Sequence, residues 1–82
     1  MTEAEIYDAL ADVARDVFDD DTIKLGPETR APDVPGWDSQ GNIMLIVAAE
    51  QRFGVRFRPA EFESLKNVGD FVSLIAAKRD GR

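Results

Sequence analysis

The segment "PGWDSQGNIMLIVAAEQRFG", residues 35–54, decides the fold of this 82-residue chain. The segment begins with turn residues, and a helix-compatible stretch runs from Ser39 to Phe53. Gly54 suits the left-handed backbone conformation that often ends a right-handed helix. We place Ile43 at 0° on a helical wheel and advance each residue by about 100°. Four apolar residues then fall between about 200° and 300°, an arc wide enough to be the core face of the helix. They are Leu45, Ile46, Ala49 and Phe53.

The same helix carries a second apolar face, between 0° and about 100°, formed by Ile43, Met44 and Val47. We call these three residues the apolar strip. Either the helix is central and buried on both sides, or the strip is exposed and grips a partner. Three long helices hardly suffice to bury one of them completely, so we expect an exposed strip. It begins one turn after Ser39, and with Gln40 beside it the strip would form a docking surface.

The first predicted helix begins at Thr2-Glu3-Ala4-Glu5, which has the form of a capping box. The acidic run Asp19-Asp20-Asp21 ends it, because negative charge at a helix C-terminus opposes the helix dipole. Between these limits, the apolar residues recur at helical spacing over about four turns. They are Ile6, Leu10, Val13, Ala14, Val17 and Phe18.

Residues 20–37 contain three prolines and two glycines, so neither a helix nor a strand is predicted there. A loop of this length in so small a chain is usually functional. We expect it to be anchored by Ile23, Leu25, Val34 and Trp37.

Two further helices are predicted in the C-terminal half. A short one covers Ala60 to Leu65, and the last begins at Asn67, with Asp70 three residues on. The core stripe of the last helix is Val68, Phe71, Val72 and Ile75. The sequence therefore predicts one all-α domain over residues 1–82, a small four-helix bundle with three long helices, one short helix and a long first loop.

Composition excludes several classes of function. The chain has no cysteine and no histidine, which removes disulfides, thiol nucleophiles, imidazole bases and most transition-metal sites. No Gly-rich phosphate loop is present, and so short a chain has little room for an enclosed pocket. We therefore expect neither an enzyme nor a metal-binding protein.

Charge and hydropathy bear on partners and location. The net charge is −6, which argues against nucleic acid and anionic membranes as partners. The charge is uneven, with 11 acids and 3 bases in residues 1–38 against 5 acids and 7 bases in residues 39–82. The N-terminus is acidic, unlike a signal peptide, and the longest apolar run, Ile43 to Ala49, is too short to span a bilayer. We expect a cytoplasmic monomer.

Ser39 supports two interpretations from the residues alone. Asp and Ser are preferred helix N-caps, so the Asp38-Ser39 pair could serve only to begin the helix. A helix N-terminus also offers unpaired N–H groups and the positive end of a dipole, which together favour a phosphate. A phosphodiester on Ser39 would therefore lie in a favourable field. The spacing of the residues does not decide between these two interpretations of Ser39.

The stretch "WDSQGNIMLIVAAEQRFGVRF" resembles the second-helix region of acyl carrier proteins, with their Asp-Ser-Leu motif, amphipathic helix and Phe-Gly-Ile/Val ending. "IKLGPETRAPDVPG" is similar to the long first loop of that family, and "LKNVGDFVSLI" to its last helix. The resemblance implies that Ser39 receives 4′-phosphopantetheine from coenzyme A through a Mg²⁺-dependent phosphopantetheinyl transferase. The thiol of this arm carries acyl groups as thioesters. Asp38 matches the aspartate of the family that contacts the transferase.

Three residues depart from the pattern of the family. Gln40 replaces the usual leucine, Gly41 replaces a frequent acid, and Met44 stands where many members have a glutamate that meets basic partner enzymes. Glu50 and Arg52 leave the second helix without net charge. We interpret these departures as marks of a specialised carrier, serving acyltransferases and an acyl-loading ligase of a dedicated lipid or secondary-metabolite pathway. The alternatives are an aminoacyl or peptidyl carrier loaded by an adenylating ligase, and a carrier-like adaptor that is never modified.

Overall fold

The computed structural model describes residues 2–80, and within that range the chain forms four α-helices and no strand. A 3-10 turn, Ala31–Asp33, lies in the long loop between the first two helices. The helices are α1 (Glu3–Val17), α2 (Ser39–Phe53), α3 (Pro59–Glu63) and α4 (Val68–Asp80). The predicted all-α architecture of three long helices and one short helix is confirmed. Each of the helices between residues 2 and 80 falls short of the length and apolarity needed to cross a membrane.

The capping box predicted for α1 is present. The backbone N–H of Thr2 donates to Oε1 of Glu5 at 2.7 Å, and the N–H of Glu5 donates to Oγ1 of Thr2 at 3.2 Å. At the other end, Asp19 adopts a left-handed conformation with φ of 51°, which Asp tolerates better than most residues. The acidic run therefore coincides with the end of the helix, as predicted.

α1 packs against both α2 and α4, and the core lies between these three helices. The predicted core faces of α2 and α4 are buried in full. On α1, Val17 and Phe18 are only half-buried, because they lie at its end, where the chain leaves the bundle. The core residues are Ile6, Ala9, Leu10, Val13, Ala14, Ile23, Val34, Leu45, Ile46, Ala49, Phe53, Phe57, Val68, Phe71, Val72 and Ile75.

The long loop is held against α4 by two backbone hydrogen bonds. The N–H of Val68 donates to the carbonyl of Thr29 at 2.8 Å, and the N–H of Gly69 donates to the carbonyl of Pro27 at 3.0 Å. The first N–H groups of a helix have no acceptor within the helix, so the loop satisfies two of them. A Cβ atom on residue 69 would lie 2.8 Å from the Pro27 carbonyl oxygen, so glycine permits this approach. Of the four predicted anchors, two are buried and two are half-buried: Ile23 and Val34, then Leu25 and Trp37.

The predicted bounds of α3 were wrong by one residue at its start and two at its end. α3 begins at Pro59, not at Ala60, because the fixed φ of proline and its missing N–H suit the first position of a helix. It ends at Glu63, two residues before the predicted Leu65. The start of α4 was predicted correctly, since the side chain of Asn67 accepts the N–H of Asp70 at 2.8 Å.

The C-terminal half of α4 is tied to the ends of α2 and α3. Lys78 forms a 2.9 Å ion pair with Glu61, and the guanidinium of Arg79 donates to the carbonyl of Phe53 at 2.8 Å. The backbone N–H of Arg58, followed by the ammonium of Lys78, holds the pKa of Glu61 below its ordinary value. These contacts keep the far end of α2 in place relative to α4.

Candidate functional site

The start of α2 shows which residue caps the helix. Asp38 is the N-cap: its backbone is extended and its carboxylate accepts the N–H of Gly41 at 2.8 Å. Ser39 is therefore the first helical residue, and its exposed hydroxyl makes no hydrogen bond with any residue from 2 to 80. The interpretation of Ser39 as the cap is wrong, because the preceding aspartate already occupies that role.

Trp37 and Phe18 support the backbone that leads into Ser39. The indole Nε1–H of Trp37 donates to Oδ1 of Asn42 at 2.9 Å, across the first turn of α2. The rings of Phe18 and Trp37 lie 6.4 Å apart between centroids. These contacts fix the direction from which the loop enters α2, so the position of the Ser39 hydroxyl is set by the end of α1 as well as by its own helix.

Gly36 and Gly41 allow the loop and the first turn of α2 to touch. A Cβ atom on Gly41 would overlap the carbonyl oxygen of Gly36 and lie 2.9 Å from Cε1 of Phe18. Gly36 itself has φ of 90°, a backbone conformation that residues with a side chain rarely adopt. In the sequence, Gly41 stands out only as a departure from the acyl carrier pattern. The feature that indicates a close backbone contact is a glycine in the first turn of a helix, where glycine lowers stability unless the backbone needs the space.

A groove of about 570 Å³ opens beside Ser39, between α2 and the segment that contains α3. Its apolar lining comes from Ala31, Trp37, Ile46, Phe62, Leu65 and Phe71. Its polar lining comes from Asp38, Ser39, Asn42, Glu63, Lys66 and Asn67. No sequence pattern predicted this groove, since the residues that line it are up to 40 positions apart and only the fold brings them together.

The apolar strip predicted on α2 is exposed. Ile43 is 59% exposed, Met44 52% and Val47 46%, and Gln40 beside them is exposed as well. The other face of the helix is buried, with Leu45 and Ala49 fully enclosed. The alternative of a helix buried on both sides is therefore wrong. Ser39, the groove and the strip all lie on or beside α2 and form one continuous candidate site.

No protein-family model matches the chain. An acyl carrier protein of Acidothermus cellulolyticus is 37% identical over 76 residues, which cover 93% of this chain and 90% of that protein. The acyl carrier protein MbtL of Mycolicibacterium paratuberculosis is 33% identical over 76 residues, covering 93% and 85%. The solution structure of a holo acyl carrier protein from Geobacter metallireducens superposes with a TM-score of 0.82 at 44% identity, covering 88% of this chain and 83% of that one.

Proposed function

Since this chain belongs to the acyl carrier protein family, we propose that Ser39 carries a 4′-phosphopantetheine arm and that residues 1–82 act as one carrier domain. The thiol of the arm, when present, holds acyl groups as thioesters and supplies the reactive sulfur that a chain without cysteine lacks. The observation that carries the proposal is the free, exposed hydroxyl of Ser39 at the first position of α2.

The attachment step is a phosphodiester formation. The hydroxyl oxygen of Ser39 bonds to the β-phosphorus of coenzyme A, the adenosine 3′,5′-bisphosphate portion leaves, and the hydroxyl proton passes to a base of the transferase. Ser39 suits this step because its oxygen is exposed and is not engaged in capping. The product phosphate would lie at the positive end of the α2 dipole, which favours negative charge.

The groove beside Ser39 supports the same proposal. An arm leaving the first turn of α2 would meet the groove at once, since Ser39 itself lines it. Its apolar lining suits the hydrocarbon part of a cargo, and its polar lining suits the amides of the arm. We propose that this groove shelters the arm or its cargo between partners.

The apolar strip and Gln40 supply a surface for enzymes that load and unload the arm. Ile43, Met44 and Val47 are large, exposed and adjacent to the attachment point, so a partner that docks on them would place its active site near the arm. Asp38 would contact the transferase with the carboxylate oxygen that does not accept the Gly41 N–H. The partners are a phosphopantetheinyl transferase, a loading ligase and the acyltransferases of a dedicated pathway.

Intact-mass measurement tests the attachment point. The purified protein is incubated with coenzyme A, Mg²⁺ and a broad-specificity transferase. We expect wild type to gain one phosphopantetheine, Ser39→Ala to gain none, and Ser73→Ala, which removes another exposed serine on α4, to load like wild type. Asp38→Asn keeps an oxygen that can cap α2 but removes the charge, so it should load more slowly without losing helix.

A labelled Ser39→Ala protein would overturn the assignment of the site. A wild type that stays unmodified while the transferase loads a control carrier would favour the adaptor alternative.

A further inference from the structure

Two arginines lie at the C-terminal end of α2, one in its last turn and one just after the helix. Residues four apart lie above one another on a helix, so one row continues from Met44 through Ala48 to Arg52. Arg56 follows the helix and borders a shallow depression that Val47, Glu50 and Val55 also line. Both arginines are exposed, and neither makes a hydrogen bond or ion pair within residues 2–80. The far end of the strip therefore carries two free positive charges.

Within residues 2–80, no carboxylate of α2 forms an ion pair with either arginine. Glu50 is the one acidic residue of the helix, and it is half-buried. Its Oε2 accepts the N–H of Phe57 at 2.8 Å, which orients it toward the chain that follows α2. Asp38 lies at the opposite end and caps the helix. The exposed face of α2 therefore carries the apolar strip between Gln40 and Gln51 and ends at the exposed Arg52, although the helix as a whole has no net charge.

The N-terminal half of the chain has the opposite sign. Residues 1–38 hold 11 acids against 3 bases, and the exposed acids of α1 include Asp8, Asp12 and Asp16. A charge distribution of this kind orients an approaching molecule. An acidic patch would be drawn to the arginine end of α2 and repelled by α1, whereas a basic patch would be drawn to α1.

We propose that the enzyme that uses this carrier docks on α2 through an apolar patch bordered by Asp or Glu side chains, which meet Arg52 and Arg56. This inference rests on the proposed function, because it concerns the partner of the same arm. It reverses the arrangement expected of a carrier with an acidic second helix and a basic partner. Three side chains also expose too little area for a stable dimer, so a transient enzyme is favoured over a second copy.

A malonyltransferase of the fatty-acid type, whose docking patch is basic, serves as the probe, together with a version in which those basic residues are changed to Glu. The carrier is first loaded with phosphopantetheine and its mass verified, so a failure of the proposed function appears before the charge test begins. Initial rates of malonyl transfer at low carrier concentration then report kcat/KM for each pair.

We expect wild type to be used about three- to tenfold better by the Glu version than by the basic enzyme, with an advantage that shrinks as NaCl is added. Arg52→Glu with Arg56→Glu should reverse the preference. Lys24→Glu, an exposed charge reversal in the long loop, is the matched control and should change neither rate more than about twofold.

Three results would overturn the proposal: a wild type that prefers the basic enzyme, an arginine double variant with unaltered preference, or a Lys24→Glu effect as large as that of the double variant. Sedimentation of wild type as a dimer, or its binding to phosphatidylglycerol vesicles, would assign the face to another occupant and overturn it as well.

Discussion

Alanine at position 41 would place a methyl group in the narrow gap between α2 and the loop that leads into it. Gly41 is buried, and its N–H donates to the capping carboxylate of Asp38 at 2.8 Å. The new Cβ would overlap the carbonyl oxygen of Gly36 and lie 2.9 Å from Cε1 of Phe18. Contacts of Cβ atoms in proteins are essentially never shorter than 3.0 Å. The Gly36 oxygen belongs to the backbone, so the loop or the first turn of α2 must shift.

Opposing effects set the change in the free energy of unfolding. Replacing glycine by alanine in a helix gains up to about 1 kcal/mol from propensity. Overpacking costs about 1–3 kcal/mol, and a shift that weakens the Asp38 cap adds up to about 1 kcal/mol. We expect Gly41→Ala to lower the free energy of unfolding by about 1–2 kcal/mol. The melting temperature should fall by about 4–16 °C, since each kcal/mol corresponds to about 4–8 °C in a small domain.

Thermal and urea denaturation followed by circular dichroism measure this loss. Gly26→Ala is the matched control, because its Cβ would meet only Oγ1 of Thr29 at 3.9 Å, and it should stay within about 0.5 kcal/mol of wild type. Gly41→Asp, which restores an acid frequent in the family, should cost at least as much as Gly41→Ala. A Gly41→Ala protein as stable as wild type, or more stable, would refute the steric argument.

Three further predictions concern the core, the strip and acid stability. Phe53→Ala and Phe71→Ala, each removing a ring that is 2% exposed, should cost about 3–5 kcal/mol in denaturant titrations, and a variant that melts like wild type would show that the core face is misassigned. The free energy of unfolding of Met44→Glu should stay within about 0.5 kcal/mol of wild type, because the side chain is exposed. The variant should slow transfer by the carrier's own loading enzyme and speed transfer by an enzyme with a basic docking patch. Unfolding of the variant would place Met44 in the core, and unchanged transfer rates would remove it from the docking surface. Because the pKa of Glu61 is lowered in the folded state, its carboxylate stabilises the fold at pH values above its ordinary pKa of 4.5. This contribution is lost as the pH falls through the lower pKa of the folded state, so the melting temperature of Glu61→Gln should drop less on acidification than that of wild type. An identical drop in both proteins would contradict the lowered pKa.

The bounds of α2 were predictable because its signals are local. Asp38 and Gly54 mark its two ends through interactions with residues a few positions away, and the 3.6-residue period separates the buried Leu45 from the exposed Met44. The bounds of α3 were less predictable. Its five residues leave too few turns for a period, and Pro59 can either end a connection or begin a helix.

The amino-acid sequence alone determined the three long helices, the second apolar face of α2 and the place of Ser39 at the head of that helix, since all three depend on residues within a turn or two of one another. The tertiary structure decided that the strip is exposed, that Asp38 caps the helix and frees the Ser39 hydroxyl, that Gly41 must be glycine, and that a groove opens beside Ser39. The last three of these depend on the path of the long loop, which is set by its hydrogen bonds to α4 and its packing on Phe18. Contacts between such distant segments follow from how the whole core packs, and no local spacing encodes them.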